Sequence, residues 1–475
     1  MKTKPVLVGL GTVLVAALLV VAGGKWGEHT RIAASLPPRP ELTGKPTDLV
    51  ERIDESDAKA RDFTGARTAL AELSGLYHAN GFLAEALQCY AMLREIEPRE
   101  ARWAHLAGSL LASAGRLDEA EPMYRRATEL APDYLPARLR LGDVLLKGNR
   151  TTDAAQVYTD VLARWPEQPY ALLGLARVAI AGQNWTEARA WLRRSIAADP
   201  EFVGGLSLLV TVDERLGENA EAAALRERIK HREFVDLEDP WAEALLDDCY
   251  DPYYLSVAAA VAVFRGQASV AERWLQRAIA LSDSPAPYHR QLGKLYFTDK
   301  NYPAARRSFE EATRLAPTDS DAWAMLVNLL LAMSERAQAY QTVARALAHC
   351  PESRALHFAY GRMLNEDGRY AQAIGELQEA KRLGPGESNA YVELAQVYFR
   401  RGEIEAGLAE MKAALGVQPD HPLALVVLAR DSVRQGDRTA AESWIRKMRG
   451  AARVRPEDLT LVLAEFRDRF GREAP

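Results

Sequence analysis

Cysteine is scarce in this 475-residue chain: Cys89, Cys249 and Cys350 are the only three, and none belongs to a CxxC or CxxCH pattern. That removes zinc ribbons, thioredoxin-like redox sites, attached haem and any disulfide framework, so no metal and no cofactor is expected. A basic field is also missing. Lys and Arg number 60 against 65 Asp and Glu, a formal net charge of -5, which argues against nucleic acid as a partner. No P-loop, GxGxxG, GxSxG or HExxH pattern occurs in a supporting context. Composition is otherwise ordinary, with 48% hydrophobic and 26% charged residues, and this excludes wholesale disorder, collagen-like sequence and a polytopic membrane protein.

The first 24 residues stand apart. Residues 6–22 form a nearly unbroken apolar run, preceded by Lys2 and Lys4 and followed by Gly23, Gly24 and Lys25. At about 1.5 Å per helical residue the run is near the lower limit for crossing a bilayer. Two readings stay open, an uncleaved transmembrane anchor and a cleaved secretory signal. The short basic head favours export of the body, giving a single-pass inner (cytoplasmic) membrane protein with its bulk in the periplasm or outside, or a secreted protein after cleavage. No cysteine lies nearby, which speaks against a lipoprotein. Residues 25–46 carry Pro37, Pro38, Pro40 and Pro46 without apolar periodicity and read as an extended spacer, so 25–66 is assigned as spacer and lead-in helix.

The rest of the chain keeps time. Pro98, Pro132, Pro166 and Pro200 are 34 residues apart, as are Pro317, Pro351, Pro385 and Pro419. Alanines hold the same step twelve residues earlier, at Ala86, Ala120, Ala154, Ala188, Ala305, Ala339 and Ala373, and glycines mark it at Gly81, Gly115, Gly368, Gly402 and Gly436. Each unit therefore reads as a helical hairpin: an apolar-periodic helix, a turn, a second such helix and a proline stop. Eleven units result, five over 67–236 and six over 252–455. Pro200 to Pro317 spans 117 residues, 15 more than three periods, which places a 15-residue insertion at 237–251. Residues 456–475 read as a capping helix with Leu459, Val462, Leu463, Phe466 and Phe470 on one face.

At Leu292, Gly293, Tyr296, Ala305, Phe309, Ala312 and Pro317 the sequence resembles the tetratricopeptide-repeat family. The resemblance implies an all-α fold, an α-solenoid of about eleven 34-residue hairpins, and a non-catalytic scaffold that binds proteins in a concave groove. With repeats over 67–455, no stretch is left for a catalytic domain. His105, His289 and His357 sit singly on first helices and read as groove-lining or partly packed residues, not as ligands or bases. Membrane-anchored lipopolysaccharide assembly proteins share the architecture but end in a CxxC metal site, and no cysteine follows Cys350 here.

The resemblance also implies which positions face the groove. In the carboxyl-terminal half they include Arg290, Lys294, Asp321, Asn328, Phe358, Arg362, Asn365, Glu366, Asn389, Gln396, Phe399, Arg400, Arg430 and Arg434, with six cations against two carboxylates. An acidic extended segment of a partner protein suits that surface, with solvated arginines paired to neighbouring carboxylates as the competing reading. The amino-terminal half offers a more mixed set: Arg102, His105, Leu139, Asp143, Lys147, Tyr170, Leu173, Arg177 and Ile180. Met325, Ala355 and Ala359 occupy positions where a chaperone-type carboxylate clamp would want asparagine or basic residues, so chaperone binding is not expected. Asp239-Pro240 in the insertion is a helix start, and Trp241, Leu245 and Leu246 make an apolar stripe. The expectation is an extra helix that bends the solenoid and divides it, with a partner contact as the other option. An alternative function is assembly or carriage of an anionic envelope polymer, an exopolysaccharide or lipopolysaccharide.

Overall fold

Two helices can pair closely only where one presents almost no side chain, and the alanines 34 residues apart supply that position. Ala86, Ala120, Ala154, Ala188, Ala222, Ala271, Ala305, Ala339, Ala373 and Ala441 are all 0% exposed. The computed structural model describes residues 26–230, 236–451 and 453–471. Among them the regular structure is helical throughout, and the helices pair as hairpins, from Ala66–Ala79 with Leu83–Ile96 to Pro422–Gln435 with Arg438–Gly450.

Every hairpin turns through a residue in the left-handed region. Seven of these are glycines, Gly81, Gly115, Gly217, Gly266, Gly368, Gly402 and Gly436, and four are not: Asn149, Gln183, Lys300 and Ser334. Only glycine takes this backbone without a steric cost. The four exceptions are held there by the closing hydrogen bonds, as where Asn184 N–H donates to Ala179 O at 2.8 Å and Glu335 N–H to Leu330 O at 2.8 Å.

Where the second helix carries an aromatic at the matching position, its ring lies on a small residue of the first, as Tyr124 does on Gly108. The Tyr158 ring is wedged between Gly142 and Gly174, and Phe309 covers Gly293. Both rings are 1% exposed. This is the physical content of a small residue eight places into the repeat and an aromatic sixteen places later: the missing side chain is the seat of the ring.

The chain parts into two compact units, one ending at Leu281 and one beginning at Ser282. The division expected at the insertion is therefore not where compactness breaks. The hairpin Pro252–Phe264 with Ala268–Leu281 stays with the first unit because the insertion ties it there: Arg265 Nη1 lies 2.6 Å from Glu243, and the Arg277 guanidinium sits 4.8 Å above the Tyr250 ring.

The spacer reading of 25–46 also needs correction. Residues 26–35 are helical, and Ile32 and Leu42 are buried in the same cluster as Leu49, Ile53 and Leu70. Arg67 grips Glu28 and Arg39 grips Asp54 with paired hydrogen bonds. Leu49 and Ile53 of Thr47–Ala60 close the exposed face of the first hairpin. The apolar run 6–22 lies outside the described residues; among those described, no helix is long and apolar enough to cross a membrane. The second unit ends on Pro456–Phe470, whose Val462 and Phe466 are 0% exposed against Ile445 and Met448.

Candidate partner-binding grooves

The insertion does not form a full helix. It contains one turn, Pro240–Glu243, and a short 3-10 stretch, Ala244–Asp248. It lies against the first helices of the amino-terminal unit. Asp239 is the anchor. Its Oδ2 is 2.7 Å from His105 Nε2, and its Oδ1 accepts a 2.5 Å hydrogen bond from Tyr134 Oη. His105 is 0% exposed and Asp239 6%. Burial would push the Asp239 carboxyl up, but His105, Tyr134 and the Ala242 N–H hold it below the ordinary carboxylate value. The Trp241 ring stacks on Tyr134 with centroids 3.6 Å apart, and the Trp241 N–H donates to the Tyr134 hydroxyl.

The far end of the segment is read through its backbone. The Asn80 amide nitrogen donates to the Asp248 carbonyl and its amide oxygen accepts from the Tyr250 N–H, both at 2.8 Å. The Asp248 carboxylate meets Arg52 at 2.9 Å and rests on Gly75, where an added Cβ would lie 2.5 Å from Asp248 Oδ2. At the near end Arg140 holds Asp236 at 2.7 Å. Beyond Asp236 the groove continues into an open cavity of about 400 Å³, lined by Leu139, Asp143, Lys147, Tyr170, Leu173 and Arg177.

The extra-helix expectation is corrected accordingly. The insertion holds nine residues of short helix in place of a full one, and its groups contact both the groove and the hairpin that follows. His105 lies in the groove as expected, though as a buried partner of Asp239. Asn80, Tyr134 and Arg52 were missed because they lie outside the groove positions that the resemblance implies.

His78, at the edge of this groove, is 2.9 Å from the Tyr90 hydroxyl. Burial, with the nearby His105 charge adding to it, brings its pKa down from 6.5 to about 4. Between those values the unfolded chain binds a proton that the native ring refuses, so stability falls as pH falls through this window and levels off below about 4. The first unit should lose on the order of 2 kcal/mol between pH 7 and pH 4. His78→Gln should flatten that slope in urea unfolding measured across the range; an unchanged slope would assign the trend elsewhere.

In the second unit the basic positions divide into two kinds. Arg290 Nη1 lies 3.2 Å from Asp319 and 3.0 Å from Asp321. Arg400 donates to the carbonyl and the side-chain oxygen of Asn365, both at 3.1 Å. Asn365 is 1% exposed and donates to Glu393, so it is a packed residue. Arg430 makes a paired contact with Glu465 of the closing helix, at 2.6 Å for Nη2. These arginines hold repeats together. Phe399 is withdrawn as a groove platform: position 407 is glycine where other repeats have alanine, and the Phe399 ring fills the space, within 2.4 Å of where a Cβ would be. Gln396 is half-buried.

Lys294, Asn328, Asn389 and Arg434 are exposed, and neither Lys294 nor Arg434 has a carboxylate within ion-pair distance among the described residues. Arg362 is exposed, 6.0 Å from the Phe358 ring centroid and 3.9 Å from Glu366. Among the described residues no cluster of three or more His, Cys, Asp or Glu side chains is placed to hold a metal ion.

Family models described as tetratricopeptide repeat match residues 111–158, 139–201, 296–359, 364–430 and 422–447. The chain belongs to the tetratricopeptide-repeat family. Tetratricopeptide-repeat proteins are generally non-catalytic protein-interaction scaffolds. Protein FlbA of Caulobacter vibrioides is 31% identical over 175 residues, covering 36% of this chain but 29% of that protein. Yeast Tom70 is 15% identical over 85% of this chain and 96% of the other, with a TM-score of 0.39. PilF of Pseudomonas aeruginosa is 17% identical over 45% and 97%, with a TM-score of 0.38.

Proposed function

We propose that this protein is a cell-envelope scaffold, tethered or exported through residues 6–22, that captures an extended acidic segment of a partner protein along the first helices of its second unit. The observation that carries this reading is the set of exposed cations left unneutralised there. Among the described residues Lys294 and Arg434 have no carboxylate within ion-pair distance and Arg362 has only a distant one, while exposed Asn328 and Asn389 can hydrogen-bond a peptide backbone.

The test separates the free cations from the structural ones. In-cell crosslinking through positions 294, 362 and 434 identifies the captured segment, and Lys294→Glu, Arg362→Glu and Arg434→Glu together should weaken its binding about tenfold or more and reduce its salt dependence. The same reversal at Arg400 and Arg430 should instead lower thermal stability, because Asn365 and Glu465 lose their partners. Unchanged binding in the triple variant would remove the basic groove as the site. Protease protection of a reporter fused after Pro475 tests the export side of the proposal.

A further inference from the structure

The amino-terminal groove is filled by the chain itself, and the manner of filling is that of a ligand. A structural insertion ordinarily contributes apolar side chains to a shared core. This one packs Trp241, Ala242, Leu245 and Tyr250 against the first core cluster, but it is also fixed by a carboxylate on a buried histidine, an aromatic ring on a tyrosine and two backbone hydrogen bonds to a single asparagine. Its contacts span long separations: His105 is 134 residues from Asp239, and Asn80 is 168 from Asp248. The groove side of each contact comes from the repeats, while the segment side has the order aspartate, one residue, tryptophan, then a second aspartate nine residues after the first.

We infer that the groove formed by Arg52, Asn80, His105, Tyr134 and Arg140 is a second peptide-binding site, that its ligand is an acidic segment of another protein carrying an aromatic two residues after a carboxylate, and that residues 236–251 are a tethered stand-in for that ligand. This site is separate from the basic groove of the second unit and does not depend on it.

A tethered segment competes with an effective concentration of about millimolar, so an external segment must gain contacts that the stand-in does not make. The cavity past Asp236 provides them. Lys147, Arg177 and Tyr170 line it, with Arg177 3.7 Å from Asp143. A partner that extends further toward its amino terminus, with acidic residues there, would use both stretches. Of residues 236–251, only Asp236 and Leu237 line this cavity. The site is thus self-occluded, and occupation by a partner releases residues 236–251.

A fluorescent peptide of residues 236–251, under reducing conditions, is the probe, and the full chain is the receptor. Asp239→Ala with Trp241→Ala in the chain removes both anchors of the stand-in while leaving the groove intact. This variant should bind the peptide at least about tenfold more tightly than the wild-type chain. A peptide carrying the same two substitutions should show no saturable binding. A chain with 237–251 replaced by a Gly/Ser linker of equal length should behave as the double variant does. Equal binding of native and altered peptides, or no binding by variants that keep their helical circular dichroism, overturns the proposal. Loss of that helical signal in both variants makes the segment part of the core and also overturns it. Formation of chain dimers by the wild type, with peptide inhibiting them, would make a second copy the occupant and overturn the partner form. Lys294→Glu with Arg362→Glu and Arg434→Glu should leave peptide binding unchanged, which keeps this result independent of the basic groove.

Discussion

A chain carrying Gly174→Ala is expected to unfold its amino-terminal unit about 3 kcal/mol more easily than wild type. The added methyl would lie 2.4 Å from Tyr158 Cζ, 2.5 Å from Cε1 and 2.6 Å from Cε2, where no carbon can sit. The ring cannot retreat, because Gly142 bounds its other face and the Tyr158 hydroxyl donates to Asp143 at 2.8 Å. Three helices must therefore separate, and with them the packing around Val144, Val161 and Leu175. Tyr158→Val on its own leaves a cavity and should cost about 3 kcal/mol, but combined with Gly174→Ala it should cost less than the two added together. Urea unfolding followed by circular dichroism reads both effects. A neutral Gly174→Ala would mean that the seat of the ring is looser than the distances require.

Arg189→Ala should also destabilise this unit near neutral pH. Arg189 Nε lies 2.8 Å from Asp213, whose side chain is 1% exposed, and its Nη atoms reach Glu218 and Glu221. Burial already holds the Asp213 carboxyl above its usual range in spite of the arginine. Without Arg189 the carboxylate is buried alone. The loss should shrink as pH falls, since a protonated Asp213 needs no partner, and this slope is opposite in sign to that of His78. Asp213→Asn in the Arg189→Ala background should recover much of the stability at pH 7. If it does not, the arginine acts through Glu221 and not through Asp213.

The periodic part of this fold is legible because the same requirement recurs in the same place. Ala120 and Ala305 are spaced from their neighbours by the repeat and are fully buried for one reason, the approach of two helices. The glycine signal is patchier, since Asn149, Gln183, Lys300 and Ser334 adopt the left-handed turn without being glycine; there the hairpin's own hydrogen bonds dictate the backbone. What sequence could not show is pairing between distant residues. Position alone makes Arg430 a groove cation, and only the closing helix, 35 residues on, turns it into a partner of Glu465. Phe399 reads as a platform until Gly407 is seen beneath it. The slip between Pro200 and Pro317 locates the insertion, yet its destination rests on His105 and Asn80, each more than a hundred residues away along the chain.

Cys249 lies within the segment that fills the groove and is 2% exposed, its thiol pushed up by burial. Cys89 and Cys350 are also free and buried, but on helices or their ends within the repeats. Alkylation at Cys249 can therefore proceed only when the segment lifts, while Cys89 waits for its hairpin to open. The ratio of the two labelling rates compares the opening of the occluded groove with that of a repeat hairpin in the native chain, without any introduced probe, and any molecule that takes the groove will announce itself by quickening the first rate alone.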